Sequence, residues 1–399
     1  MPGFELFGDK ERKEVQDVLD SGVLMRYGFD GMRNGHWKAK EMEAALSKRM
    51  QTQHVHLVSS GTAALTVALA SAGVGAGDEV IMPTFTFVAS FESILALGAI
   101  PVLVDIDDTL TLDPSAIEKA IGPKTKVVMP VHMCGSMANL QVLKDICDKH
   151  GLLLLEDACQ AIGGSYQGKP LGSYGDIGCF SFDYVKTITC GEGGAIITNN
   201  EAYYENAHQY SDHGHDHIGN DRGAEQHPFL GYNFRISELN AAVGLAQLSR
   251  LDEFLSIQKR NYTLLREALS QIPEVTFRRV PEGGEENYSF LSFFLPSEEL
   301  TQKVHKALGT NGVDGCFYWY NNNWHYYKKW EHLTQLKSLG NLPQEVKNAL
   351  PDYSKADFSA SDHWMGRTIS CLIKLSWSEK EMQERASKMV SVIQETLFN

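Results

Sequence analysis

The sequence predicts an α/β fold in which a mostly parallel, seven-stranded sheet covered by helices on both faces precedes a smaller α+β region. Between residues 50 and 200, short apolar runs alternate with segments of helical periodicity, as in sheets built from strand–helix–strand units. These apolar runs are continuous, which is typical of strands buried on both faces. Beyond about residue 250 the regular alternation ends.

The elements of the large sheet follow from residue type and length. Apolar runs of strand length occur at 54–59, 79–82, 100–104, 127–131, 152–156, 177–181 and 195–198. Helical patterns lie between them at 62–73, 86–97, 114–121, 137–150 and 158–162. Because helices join these strands, the strands are predicted to be mostly parallel, and ligands bind beyond the carboxyl ends of such strands.

The C-terminal part has a different pattern. One long helix is predicted over 236–265, and the last helix carries an apolar stripe that indicates core packing. The segment 338–363 is rich in polar residues and proline and is predicted to be a loop. We therefore predict a large domain over 1–250, including an N-terminal arm, and a small domain over 251–399. Its strands are predicted at 275–280, 288–295, 312–320 and 368–375.

Composition restricts the partners and the compartment. The net charge of −14, from 36 basic and 50 acidic side chains, argues against nucleic acid as a partner and gives no sign of a membrane-binding surface. No apolar stretch reaches bilayer-spanning length, and the N-terminus lacks the pattern of a signal peptide. The seven cysteines form no Cys-x-x-Cys pair and are predicted to be reduced thiols in a cytoplasmic protein.

The most informative residues are Lys186 and Asp157. Asp157 follows the apolar run at 152–155, and Lys186 lies between an apolar segment and a Gly-rich one. Pyridoxal phosphate needs both residue types, because a lysine amine forms a Schiff base with its aldehyde and an acid keeps its pyridine nitrogen protonated. Taken alone, such a lysine is usually a surface charge and such an acid usually a helix cap.

Further residues fall where a phosphate and a ring would bind. Gly61 and Thr62 open the helix after the first strand, and Ser181 ends a later strand, so backbone N–H groups and hydroxyls are available to a phosphate. An ordinary N-cap is the alternative for the first two. Phe87 suits stacking on a cofactor ring or packing in the core. Gln160 lies one helical turn after Asp157 at the same end of the sheet.

Many ordered motifs resemble the DegT/DnrJ/EryC1/StrS family of sugar aminotransferases, which are pyridoxal phosphate enzymes of the aspartate-aminotransferase fold (fold type I). The resemblance extends over most of the chain. It rests on Ser-Gly-Thr-Ala-Ala-Leu (60–65), Gly-Asp-Glu-Val-Ile-Met-Pro (77–83), Pro-Val-Leu-Val-Asp-Ile-Asp (101–107), Pro-Val-His-Met-Cys-Gly (130–135), Glu-Asp-Ala-Cys-Gln-Ala (156–161), the segment around Lys186 and Gly-Tyr-Asn-Phe-Arg-Ile-Ser-Glu-Leu-Asn-Ala-Ala (231–242).

The resemblance implies specific roles. Lys186 would form the Schiff base, Asp157 would hold the pyridine nitrogen, and Gln160 would face the ring. It further implies that Phe87 stacks on the ring and that Asn233 reaches the phosphate of a neighbouring subunit, so that two sites are shared in a homodimer. The phosphate ligands implied within the chain are Gly61, Thr62 and Ser181.

Two segments depart from the usual members, which act on nucleotide-linked 4-keto sugars: the His-rich 211–217 and the aromatic and Asn-rich 316–327. Segments 1–8 and 132–137 join them in a second resemblance. They resemble a branch whose substrate is a free, acidic, eight-carbon sugar with an aldehyde at C8 and whose amino donor is glutamate. Residues predicted to contact that sugar are Arg26, His215, Tyr320 and His325.

Alternatives remain for these segments and for the activity. The histidines of 211–217 suit a solvated loop, a substrate-contacting loop or a zinc site, although no metal is predicted here because no cysteine lies beside them. The run 316–327 suits a buried strand edge or substrate recognition. The predicted activity is amino transfer from L-glutamate to a sugar aldehyde. The alternatives are amination of a nucleotide-linked 4-keto-6-deoxy sugar and noncatalytic regulation by a cofactor-binding protein.

Overall fold

The computed structural model describes residues 3–219 and 221–398, so Met1 and Pro2 of the segment 1–8 lie outside the described residues. Fourteen strands occur in this part of the chain: β1 (His54–Val58), β2 (Glu79–Pro83), β3 (Ile100–Val104), β4 (Thr125–Val128), β5 (Leu153–Asp157), β6 (Ser165–Tyr166), β7 (Lys169–Pro170), β8 (Ile177–Ser181), β9 (Gly194–Thr198), β10 (Thr276–Phe277), β11 (Gly284–Glu285), β12 (Phe290–Phe294), β13 (Cys316–Phe317) and β14 (Thr368–Leu372).

Fourteen α-helices occur in the same part of the chain. They are α1 (Asp9–Ser21), α2 (Lys38–Met50), α3 (Gly61–Ser71), α4 (Ala89–Leu95), α5 (Pro114–Ala120), α6 (Leu140–His150), α7 (Glu201–Tyr210), α8 (Glu238–Leu248), α9 (Leu251–Leu269), α10 (Glu298–Thr310), α11 (Glu331–Thr334), α12 (Gln344–Ala349), α13 (Ser359–Gly366) and α14 (Glu379–Phe398). Short 3-10 helices span Gly3–Leu6, Asp30–Met32, Met133–Gly135, Trp319–Asn321 and Tyr327–Lys329.

The large sheet has the strand order β1-β9-β8-β5-β4-β2-β3. Only β9 runs antiparallel to its neighbours, which confirms the predicted mostly parallel, seven-stranded sheet. Both faces are buried, because Val80 and Met82 of β2 belong to one hydrophobic cluster while Ile81 between them belongs to another. The seven predicted strands all form, with ends shifted by up to three residues.

Two predicted helices are wrong in detail. Residues 158–162 form turns, because the Cys159 N–H donates to the Asp157 side chain and the left-handed Gly163 follows at φ 94°. The segment 236–265 forms two helices that break at Ser249 and Arg250. There the Arg250 guanidinium hydrogen-bonds to the Leu6 carbonyl, a tertiary contact that local sequence does not encode.

The segment 338–363 is also more ordered than a loop, since it contains α12 and the beginning of α13. The Tyr353 hydroxyl donates to the Pro101 carbonyl at 2.6 Å, and Ser361 accepts from Thr84 and donates to Asp105. These contacts fasten the segment to the ends of the large sheet.

The four-stranded sheet β10-β12-β14-β13 is antiparallel and covers a third hydrophobic cluster built from residues between 262 and 393. Residues 319–333 instead join the core of the large sheet, through Tyr326, Tyr327 and Trp330. This segment therefore brings side chains from the C-terminal part of the chain to the carboxyl ends of the parallel strands. The division at residue 250 stays a prediction.

Within the described residues, none of the helices combines the length and the apolar character needed to cross a bilayer.

Candidate active site

A cavity of about 700 Å³ lies at the carboxyl ends of the parallel strands. Asp157 ends β5, Ser181 ends β8, and Gly61 begins α3 directly after β1, so the topology brings three distant parts of the chain together. Seven of the eight residues predicted to hold the cofactor line this cavity: Gly61, Thr62, Phe87, Asp157, Gln160, Ser181 and Lys186. Asn233 is exposed and does not line it within this chain.

Asp157 is a buried carboxylate with two hydrogen-bond donors. It is 3% exposed, its Oδ2 accepts from the Ser90 hydroxyl at 2.7 Å, and its Oδ1 accepts from the Cys159 N–H at 3.2 Å. Within the described chain it forms no ion pair with a lysine, arginine or histidine. A buried carboxylate of this kind is stabilised by a positively charged partner. The cavity therefore suits a ligand with a protonated nitrogen at this point.

Lys186 is half-buried and lines the same cavity. Its backbone is held on both sides, since the N–H donates to the Asp183 carbonyl and its carbonyl accepts from the Gly3 N–H. The Lys186 amine forms no salt bridge or hydrogen bond with any described residue. A lysine amine fixed at its base and free at its tip is available for reaction with a ligand.

The start of α3 provides an anion site. The Ser60 side chain caps the helix by accepting from the Ala63 N–H, whereas the N–H groups of Gly61 and Thr62 have no acceptor among the described residues. A Cβ on Gly61 would lie 2.7 Å from the Ser181 Cβ, so only glycine allows this close approach. Free N–H groups at a helix N-terminus bind phosphate.

An aromatic wall faces the sheet ends. The Phe87 ring lies 5.4 Å from the His325 ring and 5.7 Å from the Trp324 ring, and the Trp319 ring lies 4.4 Å from His325. Hydrogen bonds from Thr86 N to the His325 carbonyl and from Val88 N to the Trp324 carbonyl hold the two segments together. Phe87 is half-buried at the cavity, as stacking on a bound ring requires.

His325 is a neutral imidazole at physiological pH. Burial, with a smaller contribution from Lys186, lowers its pKa to about 3. Its Nδ1 lies 2.9 Å from the Asn322 Oδ1, so Nδ1 carries the proton and Nε2 is left as a hydrogen-bond acceptor. An acceptor of this kind suits a hydroxyl or amine of a substrate.

Gln160 is fixed by the loop after β4. Its Oε1 accepts from the Cys134 N–H at 2.9 Å, which leaves its amide N–H groups for a ligand. Cys134 adopts a left-handed conformation at φ 57°, and the buried Arg278 guanidinium donates to the carbonyls of Met133 and Cys134. The segment 132–137 therefore shapes the cavity, and Met133 lines it.

Three of the four predicted sugar-contacting residues lie outside the cavity within this chain. Arg26 is buried and bound to Glu43 at 2.7 Å and to the Leu57 carbonyl. His215 pairs with Glu225 at 2.8 Å, and Tyr320 packs against Tyr318 and Tyr326. Only His325 lines the cavity.

The His-rich segment 211–217 belongs to a partly buried charge cluster that does not line the cavity. Its centre is Asp212, which is 0% exposed and forms ion pairs with Arg222 and Arg235. The His217 ring stacks on the His208 ring at 4.0 Å. Among the described residues, no group of three histidine, cysteine or acidic side chains has the arrangement of a metal site.

Several lining residues were not predicted as site residues. Ser90 had a weak signal, because it lies three residues after Phe87. Phe4 and Glu5 of the N-terminal segment also line the cavity. The Phe4 ring stacks on the Tyr184 ring at 4.3 Å, a contact that no local sequence pattern predicts. Lys374 also lines the cavity and is bound to Asp314 at 2.6 Å.

Comparisons with known proteins agree with this geometry. The profile of the DegT/DnrJ/EryC1/StrS aminotransferase family matches residues 6–371. GDP-perosamine synthase of Vibrio cholerae is 34% identical over 333 residues, covering 82% of this chain and 85% of its own. 3-Amino-5-hydroxybenzoate synthase of Amycolatopsis mediterranei is 37% identical over 315 residues, covering 77% of each. A Bacillus subtilis structure with bound cofactor PMP has a TM-score of 0.80, 26% identity and coverage of 98% of this chain and 84% of its own.

Proposed function

From the premise that this chain belongs to the DegT/DnrJ/EryC1/StrS aminotransferase family, a family of pyridoxal phosphate-dependent enzymes, we propose a substrate for it. The chain is a sugar aminotransferase of this family. The proposed reaction moves an amino group from L-glutamate to the C8 aldehyde of 3,8-dideoxy-8-oxo-manno-octulosonate. The product, 8-amino-3,8-dideoxy-manno-octulosonate, is proposed to enter lipopolysaccharide from the cytoplasm.

The cavity fits pyridoxal phosphate. The N–H groups of Gly61 and Thr62 and the Ser181 hydroxyl suit the phosphate, while Asp157 suits the protonated pyridine nitrogen. When bound, the cofactor supplies an aldehyde that links covalently to amines and a ring that stabilises negative charge on the neighbouring carbon. Among the described residues, Lys186 is the one lysine that lines the cavity without an ion pair.

The residues of the chain have distinct proposed roles. Asp157, held by Ser90 and by the Cys159 N–H, keeps the nitrogen facing it protonated through its negative charge. The Lys186 amine takes the proton from the α-carbon of glutamate as general base and returns a proton as general acid. Phe87 and the aromatic wall exclude water from the reacting atoms.

The observation that carries the choice of acceptor is the position of the segment 316–327. Six of its twelve residues line the cavity: Phe317, Trp319, Asn322, Asn323, Trp324 and His325. Amide groups, a neutral imidazole and aromatic faces are the groups that recognise sugar hydroxyls and ring faces. The segment that resembles the octulosonate branch therefore forms part of the wall of the cavity that Lys186 also lines.

Charge also favours a free sugar over a nucleotide-linked one. Among the described residues that line the cavity, the cations are Lys186, proposed to bind the cofactor, and Lys374, already paired with Asp314. Glu5, Asp183 and Glu192 add negative charge to the lining. A diphosphate would bring further negative charge to this surface, whereas an octulosonate carries one carboxylate.

A second candidate acceptor is a nucleotide-linked 4-keto-6-deoxy sugar. The likeness to a GDP-perosamine synthase favours it. A noncatalytic regulator is not supported, since the chain belongs to a family of enzymes and brings Lys186 and Asp157 into one cavity.

We also propose a homodimer with shared sites. Tyr184 and Val185, next to Lys186, are 54% and 53% exposed, and Leu230 and Tyr232, next to Asn233, are 87% and 57% exposed. Exposed apolar side chains beside site residues are groups that an interface at the site would cover. In such a dimer, Asn233 of each subunit would reach the phosphate of its neighbour. Light scattering should then give twice the 44.4 kDa of one chain, and a monomer would contradict this part of the proposal.

Product identification tests the acceptor. The purified holoenzyme is mixed with L-glutamate and either the 8-oxo octulosonate or a nucleotide-linked 4-keto-6-deoxy sugar, and amino sugar and 2-oxoglutarate are measured by mass spectrometry. The proposal is supported if amino sugar and 2-oxoglutarate form in equal amounts with the octulosonate and do not form with the nucleotide-linked sugar. Efficient turnover of the nucleotide-linked sugar and none of the octulosonate would contradict it and leave the aminotransferase assignment intact.

A further inference from the structure

Two cysteines meet across the small sheet. Cys316 of β13 and Cys371 of β14 lie directly opposite in an antiparallel pair, and their Sγ atoms are 3.2 Å apart. The Leu372 N–H donates to the Gly315 carbonyl, so the cysteines occupy the adjacent non-hydrogen-bonded position of the ladder. Side chains approach each other most closely at such positions. A disulfide needs its sulfurs at about 2.05 Å, so closure requires an approach of only ~1.1 Å.

The surroundings favour the thiolate of one member of the pair. A hydrogen bond from the Cys371 thiol, helped by the Arg385 guanidinium 3.8 Å from the Cys316 Sγ, lowers the pKa of Cys316. Cys316 is half-buried and Cys371 fully buried, which makes Cys316 the more accessible sulfur. A thiolate close to a guanidinium and next to a second thiol is the usual arrangement of a redox-active pair.

The other five cysteines lack this combination. Burial raises the pKa of Cys134 to about 11 and that of Cys147 to about 12, and it also raises the pKa values of Cys159, Cys179 and Cys190. Among the described residues, Cys316 and Cys371 are the cysteines whose sulfurs are hydrogen-bonded to each other. Cys316 and Cys371 therefore combine sulfur contact with a lowered thiol pKa.

The pair lies directly behind the cavity. The next residue after each cysteine, Phe317 and Leu372, lines the cavity wall. Successive residues of a strand point to opposite faces, so a link between the cysteines fastens the strands that present these two side chains. Oxidation of the pair would therefore fix the wall without occupying the cavity.

We propose that Cys316 and Cys371 form a redox modification site, which a small-molecule disulfide such as oxidised glutathione converts to a reversible disulfide. The Cys316 thiolate attacks one sulfur of the oxidant, forming a mixed disulfide and expelling one glutathione thiolate. Cys371, which is buried, then attacks the Cys316 sulfur, and its proton passes to the second glutathione sulfur, which leaves as a thiol. Two protein thiols are oxidised to one disulfide, and one glutathione disulfide is reduced to two thiols.

Mass spectrometry of the oxidised holoenzyme tests this site. Treatment with oxidised glutathione is followed by alkylation of free thiols and trypsin digestion. We expect a disulfide between the peptides 307–328 and 368–374, lighter by two hydrogen atoms than the two thiol peptides, and alkylation of the other five cysteines. A thiol reductant should remove the link. Alkylation of both Cys316 and Cys371, or a glutathione adduct that stays on Cys316, would overturn the proposal.

Thermal unfolding gives an independent measurement. The link closes a loop of 55 residues, and the entropy removed from the unfolded chain predicts that Tm rises by about 5 °C on oxidation. Cys371→Ser should abolish both the link and the shift, whereas Cys147→Ser, a matched change of a buried cysteine, should preserve both. A shift of equal size in Cys371→Ser would overturn the proposal. This test does not depend on which sugar is the acceptor.

Discussion

Replacement of Asp157 by asparagine tests the proposed role of the buried carboxylate with little change of shape. The Cys159 N–H can still donate to the amide oxygen, and the Ser90 hydroxyl can rotate to accept from the amide N–H. What disappears is the negative charge at a position that is 3% exposed. Removing one partner of a buried ion pair costs ~3–5 kcal/mol. At 1.36 kcal/mol for each factor of ten, we expect the donor half-reaction to slow by about 10²–10⁴-fold.

The assay is a single turnover of the cofactor-loaded variant with saturating L-glutamate, followed by visible absorbance. The covalent link between Lys186 and the cofactor should remain, so the starting spectrum keeps its visible band. Glu192→Gln, which removes a carboxylate from the same cavity, is the matched control and should lose less than about tenfold. If the Asp157 variant reacts within threefold of the wild type, the carboxylate has no role in the chemistry.

Four further changes test other parts of the site and of the fold. Lys186→Ala should abolish turnover while the cofactor stays bound noncovalently, and measurable wild-type rates would refute its role as base. Ser90→Ala removes a 2.7 Å hydrogen bond to Asp157 worth ~1.5–3 kcal/mol, so the donor half-reaction should slow by about 10–100-fold in stopped-flow measurements. His325→Phe should raise the acceptor KM by about tenfold and leave the donor half-reaction unchanged, and an equal effect on both would contradict a sugar contact. Burial, with smaller contributions from neighbouring cations, lowers the pKa of His208 to about 3. Below about pH 6.5, His208 therefore becomes protonated in the unfolded chain while it stays neutral in the folded chain. The free energy of unfolding should fall by up to ~2 kcal/mol between pH 6.5 and pH 5, and denaturant titrations should show a smaller fall in His208→Gln.

Much of the fold was predictable because burial on both faces gives parallel strands continuous apolar runs. The positions at which helices are interrupted or replaced by turns were harder to predict. The helix interruption at Ser249 and Arg250 depends on the contact of Arg250 with the N-terminal segment, which lies far away in the sequence. The turn at 158–162 follows from a side-chain hydrogen bond of Asp157 that competes with helix formation.

The site residues also fall into two groups, those that the sequence predicts and those that depend on tertiary contacts. Those at the ends of strands or at the start of a helix, such as Asp157 and Gly61, were predictable, because topology alone brings them together. Arg26 was predicted as a sugar contact because of its positive charge. The sequence does not reveal that Glu43 neutralises this charge in a buried ion pair. His215 belongs to a separate cluster, and the contribution of Phe4 depends on chain packing that has no local signature.

The most direct test of the role of Lys186 is the visible absorbance of the purified protein before and after addition of L-glutamate, with Lys186→Ala measured in parallel. We expect the wild type to show a band from lysine-bound cofactor that glutamate removes, with one equivalent of 2-oxoglutarate released per site. The variant should lack this band. A wild-type band that glutamate leaves unchanged would contradict glutamate as the donor. The same band in Lys186→Ala would contradict the assignment of Lys186 as the lysine that binds the cofactor.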